Sequence, residues 1–145
     1  MSQDIILERS QVKKGMLYTD GASSGNPGDS GIGAVIKTEG KRIEISEYIG
    51  RATNNVAEYT ALLRGLEKAK GLGLNRLDIH LDSELLVKQI RGEYAVKSES
   101  LKVLYNKVIS LLKTFRSYSI KHVPREENAD ADRLAKKAIK NRTSL

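Results

Sequence analysis

The stretch YTDGASSGNPGDSGIG, Tyr18 to Gly33, decides how this chain is read. It sets Asp20 behind a short apolar run and follows it with five glycines and a proline. Three readings compete. Asp20 and Gly21 fit a hairpin turn. Gly21 to Gly25 spells the G-x-S-x-G of a serine-hydrolase elbow, with Ser23 at its centre. Asp20 at a strand end also fits a metal ligand.

Outward from this stretch, the periodicity changes several times. Met16 to Asp20 alternates as a strand, Ile32 to Lys37 as a second and Arg42 to Ile49 as a third, and their short turns predict an antiparallel meander. NNVAEYTALLRGLEKAKGLG then switches to helical spacing, with Val56, Tyr59, Leu62, Leu63, Leu66 and Ala69 in one stripe that stops at Gly71 and Gly73. Leu77, Ile79 and Leu81 alternate as a fourth strand leading into the helical SELLVKQIRG, a layout that predicts a parallel crossover. From Ser100, the positions Leu101, Leu104, Val108, Leu111, Leu112 and Phe115 predict another amphipathic helix. The strand YSIKHV, the turn PREEN and a last helix over 129–141 follow. Residues 1–15 read as a loose arm, 16–141 as one domain and 142–145 as a tail.

Four acidic side chains fall where elements end or begin: Asp20, Glu58, Asp82 and Asp132. If the first and fourth strands are neighbours, Asp20 and Asp82 lie side by side, and bare carboxylates that close repel unless a cation sits between them. Each has a plainer explanation as well. Asp20 suits a turn, Glu58 suits an Asn-x-x-Glu capping arrangement with Asn55, and Asp82 and Asp132 suit helix N-termini.

Composition narrows the choice. The chain has 145 residues, 39% of them hydrophobic, which fits one domain with a core of its own. With no cysteine, thiolate metal sites and cysteine nucleophiles are excluded, so a metal would sit on oxygen or histidine, and hard oxygen ligands favour Mg2+ or Mn2+. The net charge of +7 lies wholly in the second half: residues 1–83 carry eleven basic and eleven acidic side chains, residues 84–145 fourteen and seven. That asymmetry favours a polyanionic partner. One Phe and no Trp argue against base stacking as the main binding mode. The N-terminus lacks a signal-peptide layout and no run is long enough to span a membrane, so the expectation is a cytoplasmic monomer with no membrane partner.

At this point the residues resemble a family. YTDGASSGNPGDSGIGAVI, TNNVAEYTALLRGL, LDSELLVKQIRGEY and HVPREENADADRLAKKA resemble, in order, the motifs of type 1 ribonuclease H over about Met16 to Ala138. The resemblance implies an α/β ribonuclease H-like fold, a five-stranded mixed sheet of three antiparallel and then two parallel strands flanked by helices, with 16–141 as the catalytic domain. It implies hydrolysis of the RNA strand of RNA/DNA hybrids to 5′-phosphate and 3′-hydroxyl ends, with double-stranded RNA as a further candidate substrate. Asp20, Glu58, Asp82 and Asp132 become the catalytic carboxylates and the ligands of two Mg2+ ions bound with substrate, Mn2+ being a substitute. By the same resemblance Asp20 bridges both ions, Glu58 and Asp82 serve the leaving-group side and Asp132 the water side. The family pattern A-D-x-L-A selects Asp132 over Asp130. Gly21, Asn26, Asn54 and Asn55 are implied substrate contacts, with Ser83 and Gln89 as further candidates; short amides and close backbone approach suit a minor groove lined with 2′-hydroxyls.

Two departures stand out. GEYAVKSESLKVL carries no basic, tryptophan-bearing protrusion, and HVPREEN is short where many members have a flexible histidine loop. His122 and His80 therefore read as strand residues and Arg125 as the stand-in catalytic group. Against the serine-hydrolase alternative, an elbow needs a helix directly after Ser23, and the run through Pro27 does not start one. A non-catalytic hybrid-binding module is the other alternative, opposed by the four intact carboxylates.

Overall fold

Leu77, Ile79 and Leu81 are buried while Arg76, Asp78 and His80 between them are not, and this period of two makes Arg76–Leu81 a strand. It lies inside the sheet of a computed structural model that describes residues 11–142. The elements run β1 (Lys14–Ser23), β2 (Gly28–Thr38), β3 (Lys41–Ala52), α1 (Asn54–Gly71), β4 (Arg76–Leu81), α2 (Glu84–Ile90), α3 (Glu99–Leu112), β5 (Ser117–His122), a 3-10 turn (Arg125–Asn128) and α4 (Ala129–Asn141).

Among the described residues the five strands form one sheet in the order β3-β2-β1-β4-β5. β1 pairs antiparallel with β2 and β2 with β3, whereas β1, β4 and β5 are parallel. The expected meander followed by two parallel strands is what forms. Alternation along β1 and β2 sends Leu17, Ala34 and Ile36 toward α1, where they join Leu62, Leu66 and the apolar side of β4 in one buried core. α4 covers the opposite face. β3 forms one edge and carries Lys41, Arg42, Glu44, Glu47 and Arg51 along its length.

The strands are longer than periodicity predicts. Ser23 pairs with Ser30, so the loop shrinks to residues 24–27, and Gly21 belongs to β1 while Gly28, Gly31 and Gly33 belong to β2. Alternation was hidden at Gly21 and Gly31 because these positions meet helices through backbone rather than side chain. A Cβ on Gly33 would run into the Ala131 carbonyl, and one on Gly31 into the Ala135 carbonyl. α4 thus lies directly on β2, with Ala131, Ala135 and Ala138 as its buried small residues.

Three further expectations change. α1 starts two residues earlier than an Asn55 cap requires: Thr53 is the cap, its hydroxyl accepting from the Val56 amide at 3.2 Å, so Glu58 sits in the second turn and in no capping box. α3 ends at Leu112, and Phe115 is buried from the following turn instead. The arm expected over 1–15 is already anchored at its end, because Asn75 accepts from the Lys13 amide and donates to the Gln11 carbonyl, and Lys14 and Gly15 belong to β1. Residues 1–10 and 143–145 lie outside the described residues.

Candidate active site

Asp20 sits on β1 and Asp82 one residue past the end of β4. The parallel register sets Leu17 against Ile79 and Tyr18 against His80; extended by two residues, it sets Asp20 against Asp82. Two helices complete the group from opposite faces, each admitted by a glycine. Gly21 leaves room for the backbone of Ala57 and Glu58 on α1, and Gly33, the ladder partner of Asp20, leaves room for Ala131 on α4, next to Asp132. Thr19, Asp20, Glu58, Leu81, Asp82, Ser83 and Leu86 line the resulting narrow crevice.

The electrostatics of this group are those of a site that rejects its own charge. Burial, followed by the negative charge of Asp82, a hydrogen bond with Asp132 and the charges of Asp132 and Glu58, pushes the Asp20 carboxyl up to about 8. Burial pushes Glu58 up to about 6, while the Ser83 hydroxyl that bonds it and the Arg125 guanidinium pull it down and Asp82 pushes the other way. Asp132 also meets the Lys136 ammonium at 3.0 Å within its own helix.

The donor set fits hard divalent cations: carboxylate oxygens only, brought together where an ionised Asp20 lacks a countercharge. As the side chains stand, no three His, Asp or Glu among the described residues form a closed ligand set, as expected of unscreened carboxylates that repel.

The remaining site residues divide. Arg125 is exposed on the 3-10 turn and acts on Glu58 by charge. Asn26 Oδ1 accepts from the Asn54 amide at 3.1 Å, tying the glycine-rich loop to the start of α1, where the side chains of Asn54 and Asn55 are exposed. Ser83 caps α2, accepting from the Leu86 amide at 3.2 Å, and reaches Glu58. Gln89 departs from the group. It is buried, accepts from the Tyr59 hydroxyl at 2.8 Å and donates to the Ala95 carbonyl, so its position on a helix face toward the core removes it from the substrate side.

The elbow reading of Ser23 fails on geometry, since Ser23 ends a strand and its hydroxyl donates to backbone carbonyls, Ala52 among them at 3.0 Å, with a strand rather than a helix following. Asp130 pairs with Arg42 at 3.0 Å as an exposed ion pair on α4. His80 stacks on Tyr18 with centroids 4.4 Å apart, and His122 Nε2 lies 3.2 Å from the Asp82 carbonyl. Sequence reasoning missed Asn128. It looks like a turn or cap residue, yet its amide donates to the Thr19 carbonyl at 2.9 Å and to Asp82 Oδ2 at 3.1 Å.

Comparison with known proteins agrees with this geometry. The family described as reverse transcriptase-like matches residues 18–138. The solved N-terminal RNase H domain of Rv2228c from Mycobacterium tuberculosis is 43% identical with a TM-score of 0.84, over 87% of this chain and 98% of that one. The chain spans 35% of the length of the whole bifunctional Rv2228c protein. The ribonuclease H of Prosthecochloris aestuarii is 36% identical over 89% of this chain and 97% of its own length. LC11-RNase H1, isolated from compost and solved in complex with an RNA/DNA hybrid, is 41% identical with a TM-score of 0.83 over 89% of this chain and 99% of that one. With the family model matching residues 18–138, the Prosthecochloris ribonuclease H matched over nearly its full length and RNase H1 structures at TM-scores above 0.8, this chain belongs to the ribonuclease H family, type 1.

Proposed function

We propose that this chain is a metal-dependent endoribonuclease that hydrolyses the RNA strand of RNA/DNA hybrids, leaving 5′-phosphate and 3′-hydroxyl ends. The observation that carries this reading is Asp20, buried beside Asp82, Asp132 and Glu58 and pushed up to about 8. A fold that keeps so costly a group is built to receive positive charge. Divalent ions held by Asp20, Glu58, Asp82 and Asp132, Mg2+ with Mn2+ as a substitute, supply the charge that activates water and stabilises the departing 3′-oxygen.

The chain's own groups do the rest. Ser83 and Arg125 hold Glu58 toward its ionised form, as its two stabilising neighbours. Asn26, Asn54 and Asn55, with Gly21 beside them, form the face that tests for ribose, where 2′-hydroxyls of an A-like minor groove meet amides. The hybrid bound by LC11-RNase H1 supports this substrate class. Double-stranded RNA is the further candidate substrate, set beside the hybrid in the test. We place the protein in the cytoplasm as a monomer with residues 16–141 as the catalytic unit; no described helix is long and apolar enough to cross a membrane.

The test uses labelled RNA/DNA hybrid, double-stranded RNA and DNA duplex with Mg2+, Mn2+ or chelator, on the wild type and Asp82→Asn. The expected result is cleavage of the hybrid's RNA strand that needs metal, with the variant folded, binding hybrid and inactive. Hybrid binding without cleavage under either metal would leave a binding module, and wild-type turnover by Asp82→Asn would remove the carboxylates from the chemistry.

A further inference from the structure

Asn128 stands directly before α4, where an asparagine ordinarily caps the helix, yet its side chain makes no bond to that helix. The residue is only 1% exposed. Its amide nitrogen instead reaches out of the helix to two other elements, the Thr19 carbonyl of β1 at 2.9 Å and Asp82 Oδ2 beyond β4 at 3.1 Å. Both partners are acceptors. A flipped amide would set oxygen against oxygen, so the nitrogen must face them. That orientation strands Oδ1, which is buried and has no hydrogen-bond partner among the described residues. The residue thus forgoes a helix cap and leaves an acceptor unsatisfied, two penalties that a side chain retained for stability alone would avoid.

We propose that Asn128 is a positioning residue for the carboxylate group, fixing Asp82 and holding it in register with Asp20 and Asp132. Its three attachments explain the role. Thr19 is the neighbour of Asp20, Asp82 is bonded directly, and Asp132 lies one turn further along the helix that Asn128 opens. A neutral donor on one carboxylate oxygen stops that group from rotating while leaving its negative charge for a cation, which a lysine or arginine in the same place would cancel. Aspartate at 128 would do the opposite, turning two attractive contacts into repulsion and adding a further buried negative charge. The inference rests on the ribonuclease reading for its kinetic consequence but not for its effect on ion binding.

The test compares wild type, Asn128→Ala and Asn128→Asp, each checked for fold by circular dichroism and thermal melting. In the folded Ala variant kcat for the hybrid is expected to fall about tenfold or more with KM within about twofold, and Mn2+ affinity measured by calorimetry without substrate to weaken about tenfold. Asn128→Asp should lose more on both readouts. A folded Ala variant with wild-type kcat and Mn2+ affinity overturns the proposal, as does a rise in KM alone, which would make Asn128 a substrate contact.

A measurement on the wild type needs no variant at residue 128. In NMR spectra the side-chain amide of Asn128 should exchange slowly with solvent and shift when Mg2+ is added, and that shift should vanish in Asp82→Asn. A rapidly exchanging amide that Mg2+ leaves unmoved overturns the proposal even if neither variant folds. If the wild type cleaves no hybrid, the ribonuclease reading fails by itself, and the calorimetric and NMR arms still decide whether Asn128 governs Asp82.

Discussion

Gly21 lies flat against the peptide that joins Ala57 to Glu58, so that a Cβ on Gly21 would collide with the Ala57 carbonyl and the Glu58 amide. Backbone stands on both sides, and neither can yield as a flexible side chain would. Gly21→Ala therefore pushes α1 away from β1, costing about 1–3 kcal/mol by overpacking and moving Glu58 off Asp20. Melting temperature and turnover, measured where the variant is still folded, should both fall. A variant that lost only hybrid affinity would assign Gly21 to substrate contact alone.

The charge of Asp20 predicts a pH dependence of stability in metal-free protein. Its folded-state pKa is raised from 3.8 to about 8, so between those values the folded state binds more protons than the unfolded one and stability falls as pH rises. Glu58, raised from 4.5 to about 6, adds to the fall over its narrower window. Asp20→Asn removes the larger part. With chelator present it should melt higher than wild type at pH 8, by an amount on the order of 1–2 kcal/mol, and the two curves should converge near pH 4. Parallel curves across that range would place Asp20 outside the electrostatic group.

Arg125 acts on Glu58 by charge, whereas the His122 ring lies against the Asp82 carbonyl and acts by charge on Glu84. Removing the guanidinium lets Glu58 rise further, so Arg125→Ala should slow turnover about threefold to tenfold and move the acidic limb of the pH–rate profile to higher pH. His122→Ala should do neither. The reverse ranking on folded variants would hand the role to His122.

Ribose recognition is tested by chemistry on the substrate. Methylating the 2′-oxygens that flank the cut leaves every phosphate charge in place but removes a donor and adds bulk, so cleavage should stop while phosphate-driven attraction persists. Asn54→Ala should weaken discrimination between ribose and deoxyribose as well as rate, because Asn54 is exposed at the start of α1 with its backbone tied to Asn26. Equal cleavage of methylated and unmodified hybrids by the wild type would dismiss this face as the ribose sensor.

Much of this was legible in the sequence. Leu77, Ile79 and Leu81 announced β4, the apolar stripe from Tyr59 to Ala69 announced α1, and neighbouring first and fourth strands set Asp20 beside Asp82 as their side-by-side placement requires. What escaped was contact made by backbone or by a turn-like residue. Gly31 read as loop because it lacks a side chain, although with Gly33 it is the surface on which α4 rests. Gln89 read as polar and available, but its helical phase turns it toward Tyr59. Asn128 read only as part of the turn PREEN, since local pattern carries no trace of a bond to Asp82, 46 residues earlier.

The row of charges on β3 governs what the protein does in company with its own copies. An outer strand offers unpaired backbone donors and acceptors to any other extended chain, and alternating Arg42, Glu44, Glu47 and Arg51 make that pairing costly by bringing like charges and hydration shells together. Replacing Glu44, Glu47 and Arg51 with threonine leaves the carboxylates of the crevice untouched while giving the edge a high strand propensity and no guard. Such a protein should retain turnover when dilute and aggregate through sheet-to-sheet growth at concentrations where its parent stays dispersed.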